Sequence, residues 1–282
     1  MGLMTSFKAN KAYRLQRQDH PEEAIRLYEE CFAEGLNEPR YILAYAMLII
    51  RRGEYQKAKE FLVKHQKAPG MTTEQRSSLL VDYAACCFRL GNLDKGIHTL
   101  EQQFRKAETG LIYQTLGYLY VEKYDRANRP DFSQKAEEET AANPEDGGAE
   151  TASAEEAEAE PAEPALTPEE AWNAGEKQAE EFIRKSVEYD DEDPVCLDNM
   201  GQFLYRVRGD KAAAREWFDK ALARKENQID TLGFLSLYDE EEGNTASAAA
   251  RLEKALEGRF SPLNYWTRDK VEQGIARLKG ER

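Results

Sequence analysis

The feature that most constrains this chain is a period of 34 residues. Ala24 in PEEAIRLYEECFAEG and Ala58 in EYQKAKEFLVKHQ stand 34 positions apart, as do Ala221 in AAAREWFDKALAR and Ala255 in ASAAARLEKALEG. A further copy, GNLDKGIHTLEQQF, puts Gly96 in the same place 38 positions after Ala58. In these copies a small residue is followed four later by a bulky one and three later, usually, by another small one; Ala214, Phe218, Ala221 and Ala248, Leu252, Ala255 show it. Steps of four and three lie on one helical stripe. A second helix of the same style precedes each copy, marked by Ile42, Ala46, Ile49, then Leu80, Ala84, Cys87, then Tyr113, Gly117, Tyr120, then Leu197, Gly201, Leu204. The small middle residue lets a neighbouring helix approach closely. A two-helix unit cannot bury its apolar face alone, so recurrence at this period dictates stacking of units into a solenoid.

The punctuation agrees. Gly53, Gly91, Gly209 and Gly243 stand where a left-handed residue closes the first helix of a pair. Asn92, Asp210 and Asn244 follow three of them as candidate caps, and Pro21, Pro39, Pro194 and Pro262 fit first helical turns. Together with SVEYDDEDP at 186–194, this pattern resembles the tetratricopeptide repeat (TPR) family. The resemblance implies an all-α right-handed superhelical solenoid of about six helix-turn-helix units over Thr5 to Gly258. It departs in lacking the family's first-helix tryptophan, in His65 and Gln103 replacing small residues, and in a degenerate first unit around Ala12 and Leu15. A last amphipathic helix, expected from Ser261 to Lys279 with Ser261 as cap, would cover the final unit through Leu263, Trp266, Val271, Ile275 and Leu278.

One unit is interrupted. The first helix of the fourth ends near Tyr124, while its second begins only at the capping box TPEE, Thr167 to Glu170. The organisation expected is therefore residues 5–127 for units one to three and the first helix of unit four, 128–166 for an acidic insert, 167–258 for the remaining units, and 259–282 for the closing helix. The chain of 282 residues carries 53 acidic and 39 basic side chains, a net −14. Between Asp131 and Glu170 there are 14 acids and one base, so that window holds −13 and the rest −1. The insert has almost no large apolar residue to offset its ordering entropy, which predicts disorder. It reads as a solvated linker, or else as an electrostatic arm competing for a binding surface.

Motifs that carry chemistry are missing. His20, His65 and His98 lie in different units with no second histidine one turn away, so no metal site is assigned. No glycine-rich phosphate loop or nucleophile elbow occurs. Cys31, Cys86, Cys87 and Cys196 contain no Cys-x-x-Cys pair and read as small buried hydrophobes of a reducing compartment. The expectation is a protein that is not an enzyme, with no cofactor. The acidic balance argues against nucleic acid. The longest apolar run, Tyr41 to Ile50, is too short to cross a bilayer. The start shows no signal peptide; MGLMTS fits only the loose myristoylation pattern. A cytoplasmic location is expected.

What remains is a groove. In TPR arrays the first helices line the concave face, where peptides bind. One residue past the small markers, and three to four beyond, lie apolar and aromatic positions flanked by arginines. The candidate partner-binding residues are Tyr13, Met47, Ile50, Phe88, Arg89, Tyr118, Val121, Tyr205 and Arg206, with Arg51 alongside. Aromatics and arginines are common binding anchors. The Lys and Asn clamp by which one subclass grips C-terminal carboxylates is replaced here by Ala9, Tyr13, Leu43 and Met47. These readings favour a scaffold or adaptor binding a protein or peptide segment, with an accessory subunit of an enzyme complex as the alternative.

Overall fold

The computed structural model describes residues 3–132 and 166–280. The described residues form thirteen α-helices and no strand. They pair in chain order: α1 (Leu3–Arg17) with α2 (Pro21–Ala33), α3 (Pro39–Arg51) with α4 (Tyr55–His65), α5 (Thr73–Arg89) with α6 (Leu93–Phe104), and α7 (Gly110–Tyr124) with α8 (Pro168–Tyr189). Next come α9 (Pro194–Gln202) with α10 (Lys211–Arg224), α11 (Ile229–Glu241) with α12 (Thr245–Leu256), and the single α13 (Arg268–Lys279). Of the insert expected to be disordered over 128–166, residues 133–165 lie outside the described residues; in its described start Asn128 ends the 3-10 turn Arg126–Asn128 and Arg129 pairs with Glu169 at 3.0 Å.

The local code does what the spacing implies. Gly53, Gly91, Gly209 and Gly243 all have positive φ, the region a side chain disfavours; Gly53, Gly91 and Gly243 follow the first helix of their pairs, and Gly209 closes the π-helical segment Phe203–Arg208 that continues α9. Pro21, Pro39 and Pro194 occupy first helical turns. Of the three cap candidates only Asp210 works through its side chain, accepting from the Ala213 amide at 3.0 Å; Asn92 and Asn244 make no cap bond. Thr167 and Glu170 form a reciprocal capping box on α8.

The small markers are contact points. A Cβ on Gly201 would lie 2.7 Å from the ring of Phe218, and one on Gly117 would lie 3.0 Å from the Asn199 side chain. Ala24, Ala58, Ala214, Ala221, Ala248 and Ala255 are all fully buried. His65 and Gln103, the two departures from small residues, are buried too: His65 Nδ1 pairs with Asn37 Oδ1 at 3.0 Å. All four cysteines are free and buried, and burial pushes the Cys86 and Cys196 thiols up to about 12, so they stay protonated and unreactive.

The closing helix starts later than expected. It begins at Arg268, and its cap is Thr267, which accepts from the Lys270 amide at 3.3 Å. Ser261 instead makes a turn: its hydroxyl accepts from the Leu263 amide and its own amide donates to Asn264 Oδ1. The Tyr265 and Trp266 amides donate to a carboxylate of α11, which holds 258–267 as an irregular strap of turns and bends rather than a first helical turn. Val271 of α13 is fully buried against the last unit, with Ile275 and Leu278 beside it.

Candidate functional site

The strap runs over the face made by the first helices. Its anchor is Asp230 in α11, whose carboxylate accepts from the Trp266 amide at 2.8 Å, the Tyr265 amide at 3.2 Å and Asn264 Nδ2 at 3.1 Å. Tyr265 stacks on Phe234 at 5.2 Å, which itself stacks on Phe218 at 5.0 Å. The indole of Trp266 lies over Gly233, where a Cβ would fall 2.4 Å from its ring atoms. Leu263 and Tyr265 also pack into the cluster of Val81, Ala84 and Tyr118 supplied by α5 and α7. One segment of the chain thus lies across the first-helix face, with side chains seated between helices and backbone amides held by a carboxylate.

A second buried carboxyl lies beside Asp230. Asp198 of α9 accepts from Thr231 Oγ1 at 2.5 Å and Gln202 Nε2 at 2.7 Å. Burial pushes both Asp198 and Asp230 upward; for Asp198 the negative charge of Asp230 adds to it, while for Asp230 the bonds from the strap oppose it. Both line a cavity of about 360 Å³ beneath the strap, together with Asn199, Gln228 and Asn264.

The nine candidate groove residues meet different fates. Tyr13 and Met47 are open, 40% and 37% exposed. Ile50, Tyr118 and Val121 are buried. Phe88 and Arg89 are half-buried at the edge of the strap, Phe88 meeting Tyr118 edge-on at 5.8 Å. Tyr205 is half-buried against Phe234 and Tyr238. Arg206 is buried and committed: its guanidinium binds Glu122 Oε1 and Asp125 Oδ2 at 2.7 Å each, and covers the Tyr265 ring at 3.9 Å. Burial alone would lower it, but those two carboxylates outweigh burial and hold it above its usual value. On this face Tyr13 and Met47 of units one and two are therefore open to solvent, while the strap covers the face farther along.

A second cavity, about 690 Å³, opens between that strap and units two and three. Arg51 and Arg89, at the ends of α3 and α5, face Arg259 and Arg268 across it, with Ile50, Tyr55 and Phe260 as apolar wall. Sequence reasoning had Arg51 and Arg89 on the face but missed Arg259, Arg268 and Asp230. The signal for Asp230 was a carboxylate in the otherwise apolar first turns of α11, IDTLGFL, which a buried partner must satisfy. Among the described residues no group of three His, Cys, Asp or Glu could hold a metal ion, and no helix is long and apolar enough to cross a membrane.

Residues 17–103 match the family model described as anaphase-promoting complex, cyclosome, subunit 3. No curated protein matched the chain. Among solved structures, a thermophilic TPR protein of Thermus thermophilus is similar with a TM-score of 0.57 and 14% identity, over 86% of this chain and 99% of that one. PilW, a type IV pilus biogenesis factor, gives 0.56 and 12%, over 92% and 94%. IFIT1, as a monomeric mutant with Gppp-AAAA, gives 0.56 and 15%, over 96% of this chain and 53% of that one. At such identities the likeness is one of fold.

Proposed function

Because the chain is a tetratricopeptide-repeat protein in sequence pattern and in fold, we propose that it is a non-catalytic scaffold that binds a partner segment on the first-helix face. The observation that carries this reading is the open stretch of that face in units one and two. Tyr13 of α1 and Met47 of α3 are large and exposed, and Met47 stands one helical turn before Ile50, which with Tyr55 walls a cavity. Solvated apolar side chains on a surface otherwise rich in ion pairs gain by docking an apolar segment. The partner is a protein or peptide. Outside 131–170 the chain sums to −1 and carries no excess of positive charge for nucleic acid, although one similar fold carries Gppp-AAAA.

The test is affinity capture on the intact chain and on Tyr13→Ala and Met47→Ala, followed by mass spectrometry and titration of the captured protein. Both side chains are exposed, so neither change empties the core. Each should weaken binding about five- to thirtyfold, the equivalent of about 1–2 kcal/mol. Unchanged affinity in both variants moves the site off this face. Tyr118→Ala is a poor probe, because Tyr118 is buried and its loss would disturb packing first.

A second reading, an accessory subunit of an enzyme assembly, is supported by the match of 17–103 to a subunit of a multiprotein complex. It expects co-purification with one enzyme at fixed stoichiometry, whereas an adaptor expects several partners or free protein.

A further inference from the structure

The cavity between the strap and units two and three holds more positive charge than its surroundings balance. Arg51, Arg89, Arg259 and Arg268 line it, against Glu257 and Asp269. Among the described residues Arg51, Arg89 and Arg259 make no ion pair, and Arg268 has only Glu272 at 3.6 Å on its own helix. Other cations of the same face and edges are matched: Arg52 binds Glu22 and Glu54, Lys57 binds Glu29, and Arg206 binds Glu122 and Asp125. Arg89 Nε is buried with no hydrogen-bond partner, an expensive state for a charged donor. Its guanidinium lies 5.3 Å from the Phe88 ring and that of Arg268 lies 4.7 Å from Phe260, so both are held rather than swinging free. Burial lowers both Arg51 and Lys270 below their usual values; the Arg259 charge adds to this at Arg51 against Asp19, and Arg206 and Arg89 add to it at Lys270 against Glu122 and Asp230.

We propose that this cavity binds a short carboxylate-rich segment of a partner protein, whose Asp or Glu side chains pair with Arg51, Arg89 and Arg259 while an apolar neighbour rests on Ile50, Tyr55 and Phe260. Guanidinium forks match carboxylates in two-point geometry, and pairing in a partly desolvated cleft is stronger than on an open surface. About 690 Å³ is room for a few residues, within the range of ordinary ligand pockets. A nucleic acid would present anions too, but the chain sums to −1 outside 131–170 and offers a long polyanion no extended basic track, whereas a short acidic segment needs only the local cations of this cavity. The site is not the lysine-asparagine clamp of the fold's peptide binders. It needs the strap, which supplies Arg259, and the start of α13, which supplies Arg268. The proposal rests on the scaffold reading and adds the chemistry of the partner: an apolar segment for Tyr13 and Met47, flanked by carboxylates.

The experiment is fluorescence anisotropy on the full chain with a fluorescein-labelled peptide Gly-Glu-Glu-Leu-Glu-Glu-Phe-Gly, its counterpart with glutamine at every glutamate, and a ten-nucleotide single-stranded RNA. The glutamate peptide should bind at least tenfold tighter than the glutamine peptide, and the difference should fade between about 50 and 500 mM salt. Arg51→Gln and Arg259→Gln, both at exposed side chains, should each weaken the glutamate peptide about three- to tenfold with helical circular dichroism unchanged. Equal binding of the two peptides overturns the proposal, as does indifference to both arginine changes. RNA binding tighter than the acidic peptide and lost in the same variants also overturns it, in favour of a nucleic-acid site. If Met47→Ala weakens the captured partner while the arginine variants leave the peptide untouched, the scaffold reading stands and the acidic ligand falls.

Discussion

Gly233→Ala tests whether the strap really lies on the first-helix face. Gly233 is inside α11, and in an exposed helix interior alanine is better than glycine by about 0.5–1 kcal/mol. Here the new Cβ would stand 2.4 Å from Cγ, Cδ1 and Cδ2 of Trp266, about 1 Å closer than ordinary contact. The indole cannot yield by rotating its tip, because the clash is at the root of the ring and the Trp266 amide is tied to Asp230. Overpacking of this kind costs about 1–3 kcal/mol, which exceeds the propensity gain. The expected net loss is about 1–2 kcal/mol by equilibrium urea unfolding followed by circular dichroism. In a Trp266→Ala background the clash is gone, and the same change should stabilise by about 0.5–1 kcal/mol. The sign reversal is a coupling of about 2 kcal/mol in a double-mutant cycle. Stabilisation by Gly233→Ala in the unaltered chain would show that Trp266 is not over Gly233, and with it the covering of the distal face would fall.

Three further outcomes are expected. Ala221→Leu, at a fully buried contact between helices, should cost about 1–3 kcal/mol; an unchanged urea midpoint would mean that Ala221 faces solvent. Asp198 and Asp230 have folded pKa values raised by burial above the unfolded value of 3.8, so their contribution to stability is present below about pH 4 and is lost as pH rises through the neutral range. The urea midpoint should therefore fall between about pH 4 and 7, and Asp198→Asn, which removes one of these titrations and leaves those of Asp230 and the likewise raised Asp82, should make that slope shallower; an identical slope in the variant refutes the assignment. Deleting 134–164 removes most of the acidic insert, and if that insert competes for the basic face the variant should bind its partner about twofold tighter at low salt, with the two titrations converging at high salt. Coincident curves at every salt concentration make the insert a linker only.

The solenoid was legible because its signals are local and repeated. A glycine with positive φ, a proline in a first turn and a small residue at every fourth or third position each speak within one helix, and the period makes them act together. The strap was not legible for the opposite reason. Ser261-Pro262 is a valid helix start by every local rule, and 261–279 has a helical apolar stripe. What overrides it is Asp230, 34 to 36 positions upstream of the groups it holds, together with a gap at Gly233 that fits one indole. A carboxylate in an apolar helix says that some donor must come, but not which.

The same asymmetry governs the candidate site. Spacing placed Tyr13, Met47, Phe88, Arg89 and Tyr205 on one face, since the first helices recur in register. It could not say that Arg206 would be consumed by Glu122 and Asp125, because those partners lie on the neighbouring unit, 84 and 81 positions away. Nor could it bring Arg259 and Arg268 to Arg51, since that meeting is made by the strap crossing back over units already stacked. Breaking a buried pair costs about 3–5 kcal/mol, so a groove arginine already paired inward is held by the fold and withheld from any ligand. An arginine left unpaired on the same face is the one available to a partner. By that criterion Arg206 belongs to the architecture of units four and five, and the recognition chemistry passes to Arg51, Arg89 and Arg259.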